Sequence, residues 1–353
     1  SMARLDSFLR LVVEQKASDL HFHAGKKPII RHDGELIALP FRVLSEQETR
    51  RFLLEIMRPD QREQFESAQE LDFVYSVEKL GRFRVNCFQQ KEGLGGVFRI
   101  IPDKIPTIDE LSLPRAVKKL TQLTDGIVLV SGPTGSGKTT TLGAMVNEIN
   151  RTSQRHIITL EDPVEIVHGV QQSVVTQRQI GEHAESFSTA LKSALRESPD
   201  VVVVGELRDA ETMQLALAAA ETGVLVMGTL HTHSASKSID RVIDMVPEDS
   251  RDQVRGVLSV LLRGVVAQHL VKRLNEDGRV AVTEVMLQTT AVSNMIREGK
   301  VHQLDAYLQQ ASSDGSGAHS LDMCIFRLVR EGVISVEEGM KVASDPTLVK
   351  KLV

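Results

Sequence analysis

The chain has 353 residues, of which 41% are hydrophobic and 25% charged, and its formal net charge is −5 at pH 7. That length supports a sizeable buried core and favours two domains over one. The acidic balance, the lack of Trp and an aromatic content of 4% disfavour a dedicated nucleic-acid surface, which is normally basic and carries stacking rings.

Targeting and redox signals point to the cytoplasm. No apolar run in the sequence approaches the roughly 20 residues of a membrane span, and no signal-peptide pattern opens the chain. Cys87 and Cys324 are far apart and form no CxxC pair, so the cysteines indicate neither a zinc site nor a disulfide framework.

The first hundred residues predict a helix followed by short strands. Apolar side chains recur at helical spacing over 5–17, and turns at Asp33-Gly34 and Gly81 separate the β-rich stretches. Those stretches cover 19–24, 27–39, 71–77 and 81–90.

Three prolines over 101–114 then favour an extended connector. We therefore predict an N-terminal domain over 2–102, a linker over 103–115 and a second domain over 116–353 that ends in a helical segment.

The second domain alternates predicted strands with helical stretches. The strands are GIVLVS (126–131), RHIITL (155–160), VVVVG (201–205) and VLVMGTL (224–230). This alternation is typical of βαβ units and a parallel sheet.

GPTGSGKTTT, residues 132–141, matches GxxxxGK[ST] between the first of these strands and a helix that begins near Lys138. Its glycines let the backbone approach phosphates, and the helix N-terminus supplies unpaired N–H groups. We expect Lys138 to reach the β and γ phosphates and Thr139 to hold Mg²⁺. The predicted ATP-binding residues are Gly132, Pro133, Thr134, Gly135, Ser136, Gly137, Lys138, Thr139 and Thr140.

Acidic residues follow two of the other strands, and ligands gather at the carboxyl ends of parallel strands. Glu161 and Asp162 follow RHIITL, and Glu206 comes one residue after the position where a P-loop protein usually has a magnesium-linked aspartate. We predict that Glu206 organises Mg²⁺ and that Glu161 orients or deprotonates the attacking water. The roles of the two glutamates could be exchanged.

Three stretches resemble the boxes of a known family. ITLEDPVEIVH (158–168), DVVVVGELRD (200–209) and GTLHTHSA (228–235) are similar to the Asp box, atypical Walker B and His box of the secretion ATPase superfamily. That superfamily drives type II secretion and type IV pili. ASDLHFHAG (17–25) and GRFRVNCFQQ (81–90) extend the resemblance into the first domain.

The resemblance implies an α/β fold class, with a RecA-like P-loop NTPase domain preceded by a smaller PAS-like α+β domain. It also implies a homohexameric ring that hydrolyses ATP with Mg²⁺. His231, in the His box, becomes a candidate sensor of the γ-phosphate that links the product state to domain rotation.

Residues 291–303 (AVSNMIREGKVHQ) resemble a C-terminal segment of pilus retraction ATPases that typically reads AIRNLIRE. Extension and secretion members usually carry a further N-terminal domain and a four-cysteine zinc motif, and this sequence has neither. The resemblance thus implies a retraction motor for twitching motility, located at the cytoplasmic pilus base of the inner membrane. Its implied partner is an inner-membrane pilus platform protein, and the resemblance leaves open whether a second pilus ATPase takes part.

Two departures keep alternatives open. Val224 and Ser293 stand where retraction members usually have histidine and arginine. A pilus assembly or type II secretion ATPase, or a regulatory ring paralogue, therefore remains an alternative. A RecA-like nucleic-acid motor is disfavoured by the acidic balance.

Three arginines on the predicted strands of the first domain are the remaining candidates. Arg82, Arg84 and Arg99 could be lent to the phosphates by a neighbouring subunit as arginine fingers. The alternative is that they only keep strand edges soluble.

Overall fold

The computed structural model describes residues 3–32 and 34–353. The chain divides into two compact units, one ending at Lys104 and the other spanning Ile105–Val353. Residue 33 of the predicted Asp33-Gly34 turn and residue 2 of the predicted first domain lie outside the described residues.

The N-terminal unit is an antiparallel six-stranded sheet with three helices. Its elements are α1 (Asp6–Glu14), β1 (Asp19–His23), β2 (Ile29–His32), β3 (Glu35–Ala38), α2 (Glu46–Glu55), α3 (Pro59–Ala68), β4 (Glu70–Val77), β5 (Gly81–Gln90) and β6 (Gly93–Ile101). The strand order is β3-β2-β1-β6-β5-β4. Phe8 of α1 and Phe52 of α2 pack against Phe22 of β1, with ring centroids 5.5 Å apart in both contacts.

Strand β5 alternates between the two faces of this sheet. Phe83, Val85 and Cys87 are buried in the core. Successive side chains of a strand point to opposite faces, so Arg82 and Arg84 lie on the face away from that core.

The C-terminal unit contains a seven-stranded sheet and the remaining helices. Its elements are α4 (Arg115–Leu120), β7 (Gly126–Ser131), α5 (Lys138–Thr152), β8 (His156–Glu161), β9 (Val174–Gln179), α6 (Phe187–Ala194), β10 (Val201–Val204), α7 (Ala210–Glu221), β11 (Leu225–Leu230), α8 (Ala235–Met245), α9 (Arg251–Leu261), β12 (Leu262–Lys272), β13 (Arg279–Leu287), α10 (Thr290–Arg297), α11 (Leu304–Ala311), α12 (Leu321–Arg330), α13 (Val336–Met340) and α14 (Pro346–Leu352). Single 3₁₀ turns cover Glu248–Ser250 and Val301–Gln303. The strand order is β13-β12-β7-β11-β10-β8-β9, and β13 is antiparallel to the rest.

Both faces of this sheet are covered. On β7, Ile127 and Leu129 join a core with helices α6 to α9, whereas Val128 and Val130 join a second core with α4 and α5. A strand buried on both faces is a continuous apolar run, which is how the sequence reads at 126–130 and 201–204.

The register aligns the carboxyl ends of the central strands. Val204 of β10 lies opposite Leu160 of β8 and Gly228 of β11, and Gly228 lies opposite Leu129 of β7. The residues that follow these strands therefore meet at one edge of the sheet.

The segment predicted as a linker packs in part on the C-terminal unit. Ile108 and Leu113 are buried in the same core as α4 and α5. Among the described residues, no helix is both long and apolar enough to cross a membrane.

Candidate functional site: a P-loop at the carboxyl edge of the sheet

The P-loop joins β7 to α5 and depends on glycine at its end. Gly137, directly before α5, has φ +82°, a left-handed conformation that side chains rarely adopt. A Cβ there would also lie 2.9 Å from the Gln268 side chain. The chain can therefore turn tightly into the helix and leave the N–H groups of its first turn directed at a ligand.

Gln268 of β12 braces this loop from the sheet. Its Nε2 donates to Ser136 O at 2.8 Å, and its Oε1 accepts from Thr141 Oγ1 at 2.6 Å. Gln268 is 2% exposed, so both bonds are shielded from water. No role was predicted for this residue, whose one signal in the sequence is a polar side chain within the apolar run of β12.

Lys138 begins α5, and its ammonium group is fully engaged. Nζ donates to Gly132 O at 2.7 Å, to Leu230 O at 3.3 Å and to His231 Nδ1 at 2.5 Å. Burial lowers the pKa of Lys138, and the nearby Glu206 carboxylate opposes that shift.

His231 connects this lysine to Glu206. Because an ammonium group only donates, Nδ1 of His231 accepts and the ring proton lies on Nε2. Nε2 then donates to Glu206 Oε1 at 2.8 Å. The structure thus brings Lys138, His231 and Glu206, from three different strand ends, into one hydrogen-bonded chain.

Arg208 contacts the acidic residues of the site and an aromatic ring. It lies 3.4 Å from Glu206 Oε2 and 3.5 Å from Asp162 Oδ2, and its guanidinium stacks 4.9 Å from the Phe187 ring centroid. Two carboxylates from neighbouring strand ends therefore share one cation. No role was predicted for Arg208 from the sequence.

Glu161 lies in its own network at the end of β8. Its Oε2 accepts from Thr159 Oγ1 at 2.8 Å and from Gln177 Nε2 at 3.1 Å. Burial raises the pKa of Glu161, although these two bonds lower it. Gln177 of β9 was missed, since a glutamine on an edge strand carries no sequence signal.

Gly205 lets the two strand ends approach each other. Its N–H donates to Leu160 O at 2.7 Å, and a Cβ at this position would lie 2.9 Å from the same oxygen. A side chain here would push β10 away from β8.

The other residues of the P-loop differ in their exposure to solvent. Thr134, Gly135 and Thr139 are exposed, whereas Ser136 is buried and its Oγ lacks a hydrogen-bond partner. Within the described residues, no group of three or more His, Cys, Asp or Glu side chains is placed to hold a metal ion. A nucleotide-bound Mg²⁺ needs only one or two protein groups besides the phosphates, so Thr139 and Glu206 remain compatible with it.

Arg84 and Arg99 lie directly opposite each other on β5 and β6, and Arg82 lies opposite Ile101. Directly opposite residues of an antiparallel pair share one face of the sheet, so Arg84 and Arg99 place two cationic groups side by side. Their role as arginine fingers stays a prediction.

The two departures lie away from the phosphate-binding edge. Val224 precedes β11, at the opposite end from His231, and is 9% exposed within the apolar core. Ser293 lies on α10, whose Val292 and Ile296 side chains are buried. Neither residue contacts the P-loop chain of Lys138, His231 and Glu206.

A parallel sheet whose strand ends present a P-loop lysine, a histidine and two acids defines a P-loop nucleotide-binding protein of the α/β class. The family model described as "Type II/IV secretion system protein" matches residues 2–338. The chain belongs to that family.

Relatives match over nearly the whole chain. It is 45% identical to the "Type IV pilus retractation ATPase PilT" of Pseudomonas aeruginosa, over 97% of this chain and 98% of that protein. It is 42% identical to the "Twitching motility protein" of Neisseria gonorrhoeae, over 90% of this chain and 84% of that protein.

A solved structure, described as the "Pilus Retraction Motor PilT and Bound ADP", superposes with a TM-score of 0.89 at 38% identity, covering 99% of this chain and 100% of that one. The predicted fold class, a RecA-like P-loop domain preceded by a smaller PAS-like domain, is confirmed. The resemblance to pilus retraction ATPases is confirmed as well.

Proposed function

We propose that this chain is an ATPase motor that powers type IV pilus retraction and hence twitching motility. The observation that carries the enzymatic part is the hydrogen-bonded chain from Lys138 through His231 to Glu206. It links the P-loop lysine to an acid that follows a different strand. The likeness to PilT over both units supports retraction as the output.

ATP binds at the loop of residues 132–140. The backbone N–H groups and Lys138 contact the phosphates, and Ser136 Oγ, buried and unpartnered, is an additional donor. Mg²⁺, held by Thr139 and Glu206, supplies neutralisation of phosphate charge when bound. Glu161, buried at the neighbouring strand end, orients or deprotonates the attacking water.

Binding of ATP must rearrange the lysine. All three N–H groups of Lys138 are committed to Gly132 O, Leu230 O and His231 Nδ1, so a phosphate oxygen has to displace at least one of them. Phosphate offers a charged acceptor, whereas all three present acceptors are neutral. Of the three, His231 is the one that acts through its side chain, so its ring can move away while the backbone stays in place. The His231 loop thereby responds to the presence of nucleotide.

The assembly is a homohexamer located in the cytoplasm at the pilus base of the inner membrane. Its partner is an inner-membrane pilus platform protein, and whether a second pilus ATPase also takes part stays open. Arg82, Arg84 and Arg99 of one subunit act on the nucleotide of its neighbour, which ties hydrolysis to closure between subunits.

Phosphate release and mass, measured on the purified chain with and without nucleotide, test the enzymatic proposal. Wild type should turn over ATP as a hexamer, and Lys138→Ala should abolish turnover without changing mass. A folded wild-type chain without ATP hydrolysis would contradict the proposal.

Complementation tests the biological output. Expression in a PilT-deficient P. aeruginosa strain should restore twitching, and the Lys138→Ala variant should leave cells piliated but immobile. Restored piliation in a strain that lacks pili would instead identify an assembly motor.

A further inference from the structure

A buried carboxylate joins two helices behind the site. Glu284 of β13 is 4% exposed. Its Oε1 accepts from the backbone N–H of Ala235 at 2.9 Å, and its Oε2 accepts from that of Leu321 at 3.2 Å. Burial raises the pKa of Glu284, and the two bonds oppose that shift.

Both donors are first residues of helices. Ala235 opens α8 and Leu321 opens α12. The Ser234 and Ser320 hydroxyls cap later N–H groups, those of Lys237 and Met323. Glu284 therefore satisfies a donor that each helix leaves without an intrahelical partner, and its charge faces two positive helix ends.

We call the contact of Glu284 with the first residues of α8 and α12 the joint. The position of α8 makes this joint relevant to the site. Helix α8 begins four residues after His231, whose ring contacts Lys138 and Glu206. A short connection between His231 and Ala235 means that a shift of the helix start moves the ring. A misplacement of about 1 Å at a reacting geometry can cost about 100-fold in rate.

The other end of the joint is firmly anchored. Val285, next to Glu284, exchanges two backbone hydrogen bonds of 3.0 Å with His319, just before α12. A second contact, from Ser236 Oγ to Asp305 Oδ1 at 3.1 Å, ties α8 to α11. The start of α12 is thus held by backbone as well as by Glu284, whereas the start of α8 depends on side chains.

We propose that Glu284 is a positioning residue for ATP hydrolysis: it fixes the His231 loop against the C-terminal segment and so couples that segment to the nucleotide site. This inference rests on the proposed ATPase function. It assigns Glu284 no contact with nucleotide.

Glu284→Gln is the sharpest test, because the amide keeps one acceptor oxygen and turns the other into a donor that faces an N–H. Loss of a charged hydrogen bond predicts a fall in kcat of about 10- to 100-fold. The Kd of a fluorescent ADP analogue should change less than about twofold, since the P-loop is untouched. A loss of nucleotide affinity as large as the loss of kcat would overturn the proposal.

Asp322→Asn is the matched control. Asp322 is also a buried carboxylate that accepts two backbone N–H bonds, from Ser344 at 2.8 Å and Asp345 at 2.9 Å. It lies on α12 and holds the loop before α14. Both Asp322→Asn and Glu284→Gln should lower the melting temperature, but Asp322→Asn should leave kcat unchanged. If Asp322→Asn lowered kcat as much as Glu284→Gln does, both residues would act through stability alone.

A double mutant separates positioning from structure. In a His231→Ala background, Glu284→Gln should lower kcat less than twofold further, because its effect passes through His231. Full additivity would overturn the proposal. If Glu284→Gln does not fold, Glu284→Asp, which keeps the charge but is one methylene shorter, undergoes the same measurements.

Hydrogen exchange keeps this test independent of turnover. In Glu284→Gln the Ala235 amide should exchange faster, while the amides of Val285 and His319 stay protected. An unchanged Ala235 amide would contradict the joint itself. A wild type that lacks ATPase activity would refute the proposed function without affecting this result.

Discussion

Lys138 Nζ lies 2.5 Å from His231 Nδ1, and the same imidazole donates to Glu206 at 2.8 Å. The phosphate-binding lysine and the acid of the unusual Walker B strand are thus connected through one ring. The displacement of this ring by a phosphate oxygen, as proposed above, would make its position depend on whether nucleotide is bound.

His231→Ala should lower kcat strongly, by about 10-fold or more, because it removes a group proposed to act on the reacting phosphate. A tenfold loss corresponds to about 1.4 kcal/mol of activation free energy. ADP affinity should stay near wild type. His233→Ala is the control: it lies in the same box, and its ring stacks on His269 at 5.8 Å. Normal turnover of His231→Ala in a phosphate-release assay would show that His231 is not the phosphate sensor.

Glu206→Gln should retain nucleotide binding and depress hydrolysis, because the amide preserves size but loses the charge that accepts from His231 and that is proposed to hold Mg²⁺. The Mg²⁺ concentration for half-maximal rate should rise. Glu211→Gln, an exposed ion-pair partner of Lys192 at 3.2 Å, serves as control. Near-normal turnover in Glu206→Gln would exclude Glu206 from catalysis.

The acid limb of the kcat–pH profile should report Glu161. Burial raises its pKa above the ordinary 4.5, and the active ionised fraction grows as pH rises through that value. Gln177→Leu removes a bond that lowers this pKa, so the limb should move to higher pH. Gln172→Leu, which removes the hydrogen bond from Gln172 Nε2 to Arg151 O, should leave the limb in place, and an identical shift in both variants would contradict the assignment.

The sequence predicted the phosphate-binding half of the site because its signals are local. A glycine-rich turn between a strand and a helix, and acids directly after apolar runs, can be read within ten residues. Gln268, Gln177 and Glu284 act on partners far along the chain, such as Thr141, which is 127 residues from Gln268. Their contacts depend on which strands become neighbours, and single-sequence patterns do not contain that information.

Val224→His should affect stability more than turnover. Val224 is 9% exposed in the apolar core, at the opposite end of β11 from His231. A buried polar ring without a partner costs about 1–3 kcal/mol, which thermal unfolding will register, while kcat per folded subunit should change less than about twofold. A large gain in kcat would instead connect position 224 to the site.

Catalysis should be shared between subunits, with Arg84 or Arg82 acting on a neighbour's ATP. Arg84 and Arg99 lie opposite each other on β5 and β6, so the sheet presents two cationic side chains on one face, where the phosphates of a neighbour's nucleotide would contact them. An arginine supplied in this way is worth about 10³ to 10⁵ in rate, so Arg84→Ala should be nearly inactive, as should Lys138→Ala. Arg50→Ala, which removes an exposed ion pair with Glu66, should stay active.

Mixing Arg84→Ala with Lys138→Ala after dissociation and reassembly should recover some turnover, because each variant retains the half that the other lacks. Some interfaces then combine an intact loop with an intact arginine. Recovery will be small if all sites must hydrolyse ATP one after another, so a sensitive phosphate-release assay is the appropriate measurement. Verified subunit exchange without recovery, together with an active monomeric wild type, would place the arginines in cis or outside the site.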